Sequence, residues 1–148
     1  MHDDLRFQPI ERQGTLASVK ADELVSQVVE GTRALYERVG FETPWIGYLA
    51  YRDGTPVGTC GFKGPIEDGR VELAYFTFPE FEGRGVAMAM ARWLVERARE
   101  HEAQPLLAAQ TLPERNASHR ILEKLGFVNT GTVEHDEDGT VIEWQWRG

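Results

Sequence analysis

The chain begins with an apolar/polar alternation over residues 5–10 that predicts a short strand. Over residues 21–39 the apolar spacing becomes helical, with Leu24, Val28 and Leu35 on one stripe and Gly40 where a helix would stop. Alternation returns over residues 45–52. Asp53-Gly54 is a hairpin signal, and residues 56–62 read as the returning strand. A loop rich in Gly, Pro and Asp (63–69) leads to a longer strand, 70–78, which Pro79 ends. Past Glu80-Phe81-Glu82-Gly83-Arg84-Gly85, a helix is predicted over residues 86–101, with Val86, Met90, Trp93, Leu94 and Ala98 as its apolar stripe. Residues 105–110 suit a buried central strand. Residues 116–125 read as a third helix with Ile121, Leu122 and Leu125 inward, stopped by Gly126. Strands 127–134 and 140–146 flank a second hairpin signal, Asp138-Gly139.

This order predicts an α+β (mixed α/β) fold in a single domain covering residues 1–148, with a mostly antiparallel sheet. The strand at 70–78, the helix at 86–101 and the strand at 105–110 form one βαβ crossover, which makes those two strands parallel. Ligands of such units sit beyond the strands' carboxyl ends, near the helix N-terminus. That places the candidate site at residues 79–87.

The chemistry of this turn suits an anion. Gly83 and Gly85 let the backbone bend and bring N–H groups close to a ligand. The next helix adds unpaired N–H groups and a partial positive charge, and Arg84 can add a charge-assisted bond. A dinucleotide fingerprint would need glycine where Met88 stands, and no Gly-Lys-Ser/Thr is present for a Walker loop.

The run Val71-Glu72-Leu73-Ala74-Tyr75-Phe76-Thr77-Phe78-Pro79-Glu80-Phe81-Glu82-Gly83-Arg84-Gly85-Val86-Ala87 resembles the acetyl-CoA-binding motif of the GNAT superfamily, Q/R-x-x-G-x-G/A after a long strand. Glu82, Gly85 and Ala87 fall at the motif positions, with Glu82 where the family has Gln or Arg. Residues 111–127, which include Asn116, Ser118 and Leu122-Glu123-Lys124-Leu125-Gly126-Phe127, are similar to the N-x-x-S…L-E-K-L-G-F helix of RimJ/RimL-type acetyltransferases. Here Asn116 and Ser118 are two apart rather than three, and Asn116 is either a CoA contact or the helix N-cap.

The resemblance implies a GNAT-like sheet with helices on both faces, and direct acetyl transfer from acetyl-CoA to a primary amine, either a protein N-terminus or a small polar amine. A non-catalytic module that binds acyl-CoA is the alternative. The attacking amine must be neutral. At pH 7 only about 0.04% of a lysine-like amine and about 10% of an α-amine are neutral, so a base is useful. Glu72 matches a strand glutamate that some members use as base; a salt bridge with an arginine is its other reading. A backbone N–H near Phe76 or Thr77 is implied as donor to the thioester oxygen. Residues 78–81 would then run beside the pantetheine arm, and Gly83, Arg84, Gly85, Val86 and Ala87 would hold the pyrophosphate, with the Glu82 side chain turned away. Leu122 stands where many members have a tyrosine acid, leaving Ser118 as the hydroxyl able to donate or relay a proton.

Composition narrows the partners. A net charge of −8 argues against nucleic acid or an anionic membrane surface. The one cysteine, Cys60, lies in an apolar run and reads as a buried hydrophobe rather than a nucleophile. The four histidines have no metal spacing, and His119 reads as solvent-facing. Residues 1–4 do not resemble a signal peptide, so the expected location is cytoplasmic. Trp144 and Trp146 share one strand face, either as core or as a contact in a homodimer.

Overall fold

A computed structural model of the chain describes residues 5–14 and 22–148. The elements are β1 (Leu5–Pro9), α1 (Glu23–Val39), β2 (Gly47–Arg52), β3 (Thr55–Phe62), β4 (Arg70–Thr77), a 3₁₀ turn (Pro79–Phe81), α2 (Val86–Glu100), β5 (Leu106–Thr111), α3 (Ala117–Leu125), β6 (Phe127–His135) and β7 (Gly139–Trp146). Each was predicted with ends within two residues, except for the 3₁₀ turn, which was not foreseen. Residue 21, the predicted start of α1, lies outside the described residues. The helix starts after Asp22, whose carboxylate accepts the Leu24 N–H at 2.7 Å.

The seven strands form one sheet in the order β1-β2-β3-β4-β5-β7-β6. Every neighbouring pair is antiparallel except β4–β5. The parallel pair is short: it joins Arg70 to Leu106, Val71 to Leu107 and Glu72 to Ala108, and then ends. Both strands run on, to Thr77 and Thr111. From Leu73 onward β4 remains paired with β3 while β5 is paired with β7, so the sheet opens in a V between β4 and β5.

Helices cover both faces. Leu49, Tyr51 and Phe78 turn to one side and pack with Ile10 and Val25 in a small core against α1. On the other side Trp93 of α2 stacks on Phe7 and meets Tyr48 edge-on. The buried stripe of α2 contains Val86, Met90, Leu94 and Ala98, as expected, together with Ala89, Ala91 and Val95. Leu122 of α3 is fully buried in the same larger core. Trp144 is buried and Trp146 half-buried, its indole N–H donating to the Leu125 carbonyl. Both tryptophans therefore pack on the core under α2 and α3, Trp146 with part of its surface exposed. Among the described residues no helix is long and apolar enough to cross a membrane.

Candidate active site

Backbone alternation decides what faces the V. The Lys63 N–H donates to the Glu72 carbonyl, and the Phe78 N–H donates to the Val57 carbonyl. Even-numbered residues of β4 thus direct their backbone groups at β3, and odd-numbered ones direct theirs at the gap. The N–H groups of Tyr75 and Thr77 face the gap. That of Phe76 is turned to β3, which removes it as the donor expected from the sequence and keeps Thr77.

The gap opens on a cavity of about 970 Å³ between β4, the turn before α2, and α3. Its wall contains Tyr75, Phe76 and Thr77 of β4; Glu82, Gly83, Gly85, Val86 and Ala87 of the turn; and Ser118 of α3. Gly83 and Gly85 both adopt φ +78°, which L side chains avoid, and an added Cβ at either would meet nothing within 4 Å. The turn is therefore an open cradle whose shape needs glycine for its backbone, not for lack of room. Gly85 precedes α2, which has no side-chain cap. The first N–H groups of α2 have no intrahelical acceptor, and Val86, Ala87 and Met88, which carry them, line the cavity. By contrast, α3 is capped by Asn116, whose amide oxygen accepts the Ser118 N–H at 2.9 Å.

Several expected residues lie elsewhere. Asn116 is the cap and does not line the cavity. Phe78 is buried in the core against α1, because strand alternation turns it to the opposite face from Tyr75 and Thr77. Arg84 is exposed, its guanidinium 5.9 Å from the Phe81 ring. Glu82, whose side chain was expected to turn away, is exposed and is one of the residues around the cavity. His119, read as solvent-facing, is 4% exposed; its Nε2 lies 3.0 Å from the Leu112 carbonyl and 3.2 Å from the Thr111 hydroxyl. Cys60 is buried, and burial pushes its thiol up and away from the nucleophilic form.

Glu72 sits at the closed end of the V. Its Oε2 lies 2.8 Å from Lys63 Nζ and its Oε1 3.7 Å from Arg70 Nη2. It lines a separate depression of about 650 Å³ with Arg38 and Lys63 on the α1 face. Between that depression and the large cavity lies an apolar slot of about 190 Å³ containing Leu35, Ala74, Phe76 and Lys63. The slot shares Lys63 with one neighbour and Tyr75 and Phe76 with the other. The three spaces follow β4 in series, and Glu72 is about 10 Å along the strand from Tyr75.

The structure adds residues that the sequence reading missed. Tyr75 was assigned no role, yet it lines the cavity together with Ser118, and burial raises the pKa of its phenol. The Thr77 hydroxyl is buried without a hydrogen-bond partner among the described residues. Arg120 and Lys124 of α3 line the cavity opposite the turn. Their i, i+4 spacing, in phase with Ala117 at the helix start, was the available signal.

The comparisons with known proteins agree with this geometry. Residues 11–128 match the family described as acetyltransferase (GNAT) domain. The chain belongs to that family of acyltransferases. N-acetylaspartate synthetase of Xenopus tropicalis is 32% identical over 89 residues, which are 60% of this chain and 32% of the synthetase. The chain thus spans about a third of that relative's length. Among solved structures, a spermidine N-acetyltransferase chimera from Vibrio cholerae and the human enzyme superposes with TM-score 0.70 at 14% identity, covering 97% of this chain and 95% of that one. RimL, a ribosomal L7/L12 α-N-protein acetyltransferase solved with coenzyme A, superposes with TM-score 0.64 at 16% identity, covering 85% and 72%. At these identities the likeness establishes the fold.

Proposed function

We propose that this protein transfers an acetyl group from acetyl-CoA directly to a primary amine, either a protein N-terminus or a small polar amine. The observation that carries the reading is the V between β4 and β5, which opens on the glycine cradle at one end and on the slot toward Glu72 at the other. The cradle fits a pyrophosphate: it has uncapped N–H groups, two glycines at φ +78° and no obstructing side chain. Gly83, Arg84, Gly85, Val86 and Ala87 would hold that group, with Arg120 and Lys124 offsetting the carboxylate of Glu82. The unpartnered Thr77 hydroxyl suits an amide of the pantetheine arm.

Bound acetyl-CoA supplies the activated acyl carbon. The chain's own groups do the rest. One gap-facing N–H of β4, that of Tyr75 or Thr77, donates to negative charge developing on the acyl oxygen. The amine reaches the V from the α1 side, through the slot beside Leu35 and Phe76. Glu72 accepts the amine's proton through water, because three residues of strand separate it from Tyr75. Lys63 holds the carboxylate in place at 2.8 Å.

The test is thermal unfolding with acetyl-CoA against NAD and ATP, followed by release of free CoA with an amine panel. That panel includes aspartate, a polyamine and peptide N-termini. Ligand at 100 times its Kd adds about 2.7 kcal/mol, a rise on the order of 5–10 °C at this chain length. A rise with acetyl-CoA alone, and turnover with one panel member, support the reading. Binding without turnover on any amine leaves an acyl-CoA-binding module, and the absence of binding removes the proposal.

A further inference from the structure

The slot between the Glu72 depression and the large cavity has a narrow, fixed shape. Antiparallel pairing sets Thr59 opposite Phe76 and Gly61 opposite Ala74, so these four residues share the sheet face under α1. Gly61 and Ala74 give the slot a floor without bulk, and Thr32 and Leu35 of α1 form its roof. The roof is pinned. The Tyr36 hydroxyl accepts the Gly47 N–H at 2.8 Å and donates to the Ile10 carbonyl at 2.9 Å. A Cβ at Gly47 would come within 2.7 Å of Thr32 Cγ2, so the helix already touches the sheet there. The Thr59 hydroxyl donates to the Tyr48 carbonyl at 2.9 Å, which leaves its hydrogen unavailable to a ligand. From Lys63, level with Glu72, to Phe76 the slot follows about 13 Å of strand. Its volume of about 190 Å³ holds about six water-sized groups at about 30 Å³ each. Spread over that length, the space is one chain wide.

On the reading of the protein as an acetyltransferase, we propose that its acceptor is a free primary amine on an unbranched methylene chain of about five carbons, lying in this slot. The amine points toward Phe76 and the V, and the far end of the chain emerges beside Lys63. Apolar walls stabilise the methylenes, and they favour the neutral amine, the form that attacks, over the ammonium. A branch on the carbon that bears the amine has no room between Leu35 and the sheet. Alkyl diamines and ω-amino acids satisfy these demands. Free α-amino acids and peptide N-termini with a side chain on the first residue do not. Leu35 and Ala74 set the width of the slot and are therefore specificity-determining residues, and neither lines the large cavity beside the glycine turn.

The experiment measures kcat/KM, from the release of free CoA, for the straight-chain amines from propylamine to heptylamine. It adds the branched pentylamine with its amine on the second carbon, and a peptide that begins with alanine. In wild type, kcat/KM rises about fourfold per methylene up to pentylamine and then levels off as the chain leaves the slot. The branched isomer and the peptide fall at least about tenfold below pentylamine. Ala74→Leu fills the slot and lowers kcat/KM for pentylamine about 10²-fold, while CoA affinity by calorimetry stays within about threefold. Leu35→Ala widens the slot and narrows the gap between the branched and straight pentylamines. A melting temperature near wild type in both variants shows that folded proteins are being compared. A flat length series overturns the assignment and leaves the acetyltransferase reading standing. So does a branched amine or peptide accepted as well as pentylamine, or a length series unchanged in Ala74→Leu. If CoA binds but no amine is turned over, the acetyltransferase reading fails first and this inference with it.

Discussion

Arg70 reaches from β4 across β5 to Glu143 of β7, with Nη2 2.8 Å from Oε1 and Nε 3.3 Å from Oε2. This two-pronged pair closes the narrow end of the V, at the residue where the β4–β5 pairing begins. Gln110 of the intervening strand adds a bond to Oε1 at 3.3 Å. Burial pushes the Glu143 carboxyl up, but the Arg70 and Gln110 bonds and the Arg70 charge outweigh it and hold the group below its ordinary value. A carboxylate depressed in the folded state contributes stability above its unfolded pKa and loses it as pH falls through the folded value. Glu143→Gln is therefore expected to cost about 1–2 kcal/mol at neutral pH, a drop of about 3–6 °C. The gap between wild type and variant should narrow below about pH 4, measured as melting temperature against pH. A constant gap down to pH 2 rules out the ion pair as its cause.

Thr111 joins the strand next to the V to the start of α3. Its hydroxyl accepts the Trp144 indole N–H at 2.9 Å and lies 3.2 Å from His119 Nε2. Thr111→Val keeps the shape and removes the oxygen, leaving the buried indole without an acceptor. A loss of about 2 kcal/mol is expected in denaturant unfolding, with an unchanged m-value. Because His119 follows Ser118, CoA affinity is a useful second readout, and a fall of about threefold fits a small shift of the α3 start.

The folding pattern was legible because each element carries its own signal: the Asp53-Gly54 and Asp138-Gly139 turns, the glycine stops at 40 and 126, and the change of apolar period between strands and helices. The turn was legible for the same local reason. Side chains whose role depends on partners far along the chain were not. Phe78 looked like a wall of the cofactor path, but alternation from Tyr75 places it on the opposite face, where Ile10 and Leu49 bury it. Asn116 belongs to the helix it caps. Arg70 is 73 residues from Glu143, and no local pattern announces that pairing.

Glu72 invites a test that separates catalysis from structure. Its neighbours are Lys63 at 2.8 Å and Arg70 at 3.7 Å, so the carboxylate orders the closed end of the V and lines the depression on the α1 face. Glu72→Gln is expected to lower kcat about 10²-fold while leaving CoA affinity unchanged, because Glu72 does not line the large cavity beside the glycine turn. Lys63→Met should have a milder effect on turnover, within about tenfold, since the base remains but is less fixed. If Glu72→Gln retains full turnover with an accepted amine across pH 6–9, Glu72 serves only as an ion-pair partner.

The cradle makes the sharpest demand on one residue. Gly85 stands at φ +78° immediately before α2, and a Cβ there would meet no atom within 4 Å. Steric collision is thus absent in the free protein, and the cost of a side chain is conformational. An alanine held in the left-handed region costs about 1–2 kcal/mol, and a β-branched residue costs more. The chain can relieve that strain by rotating the 82–87 turn, which would swing the first N–H groups of α2 away from the cavity. Gly85→Ala is therefore expected to melt about 2–5 °C below wild type and to bind CoA about tenfold more weakly by calorimetry. Gly85→Val should lower both further. Dephosphorylated pantetheine, which lacks the pyrophosphate, should bind wild type and Gly85→Ala alike. If CoA binds Gly85→Val as tightly as wild type, the turn is not the pyrophosphate site, whatever the strain does to stability.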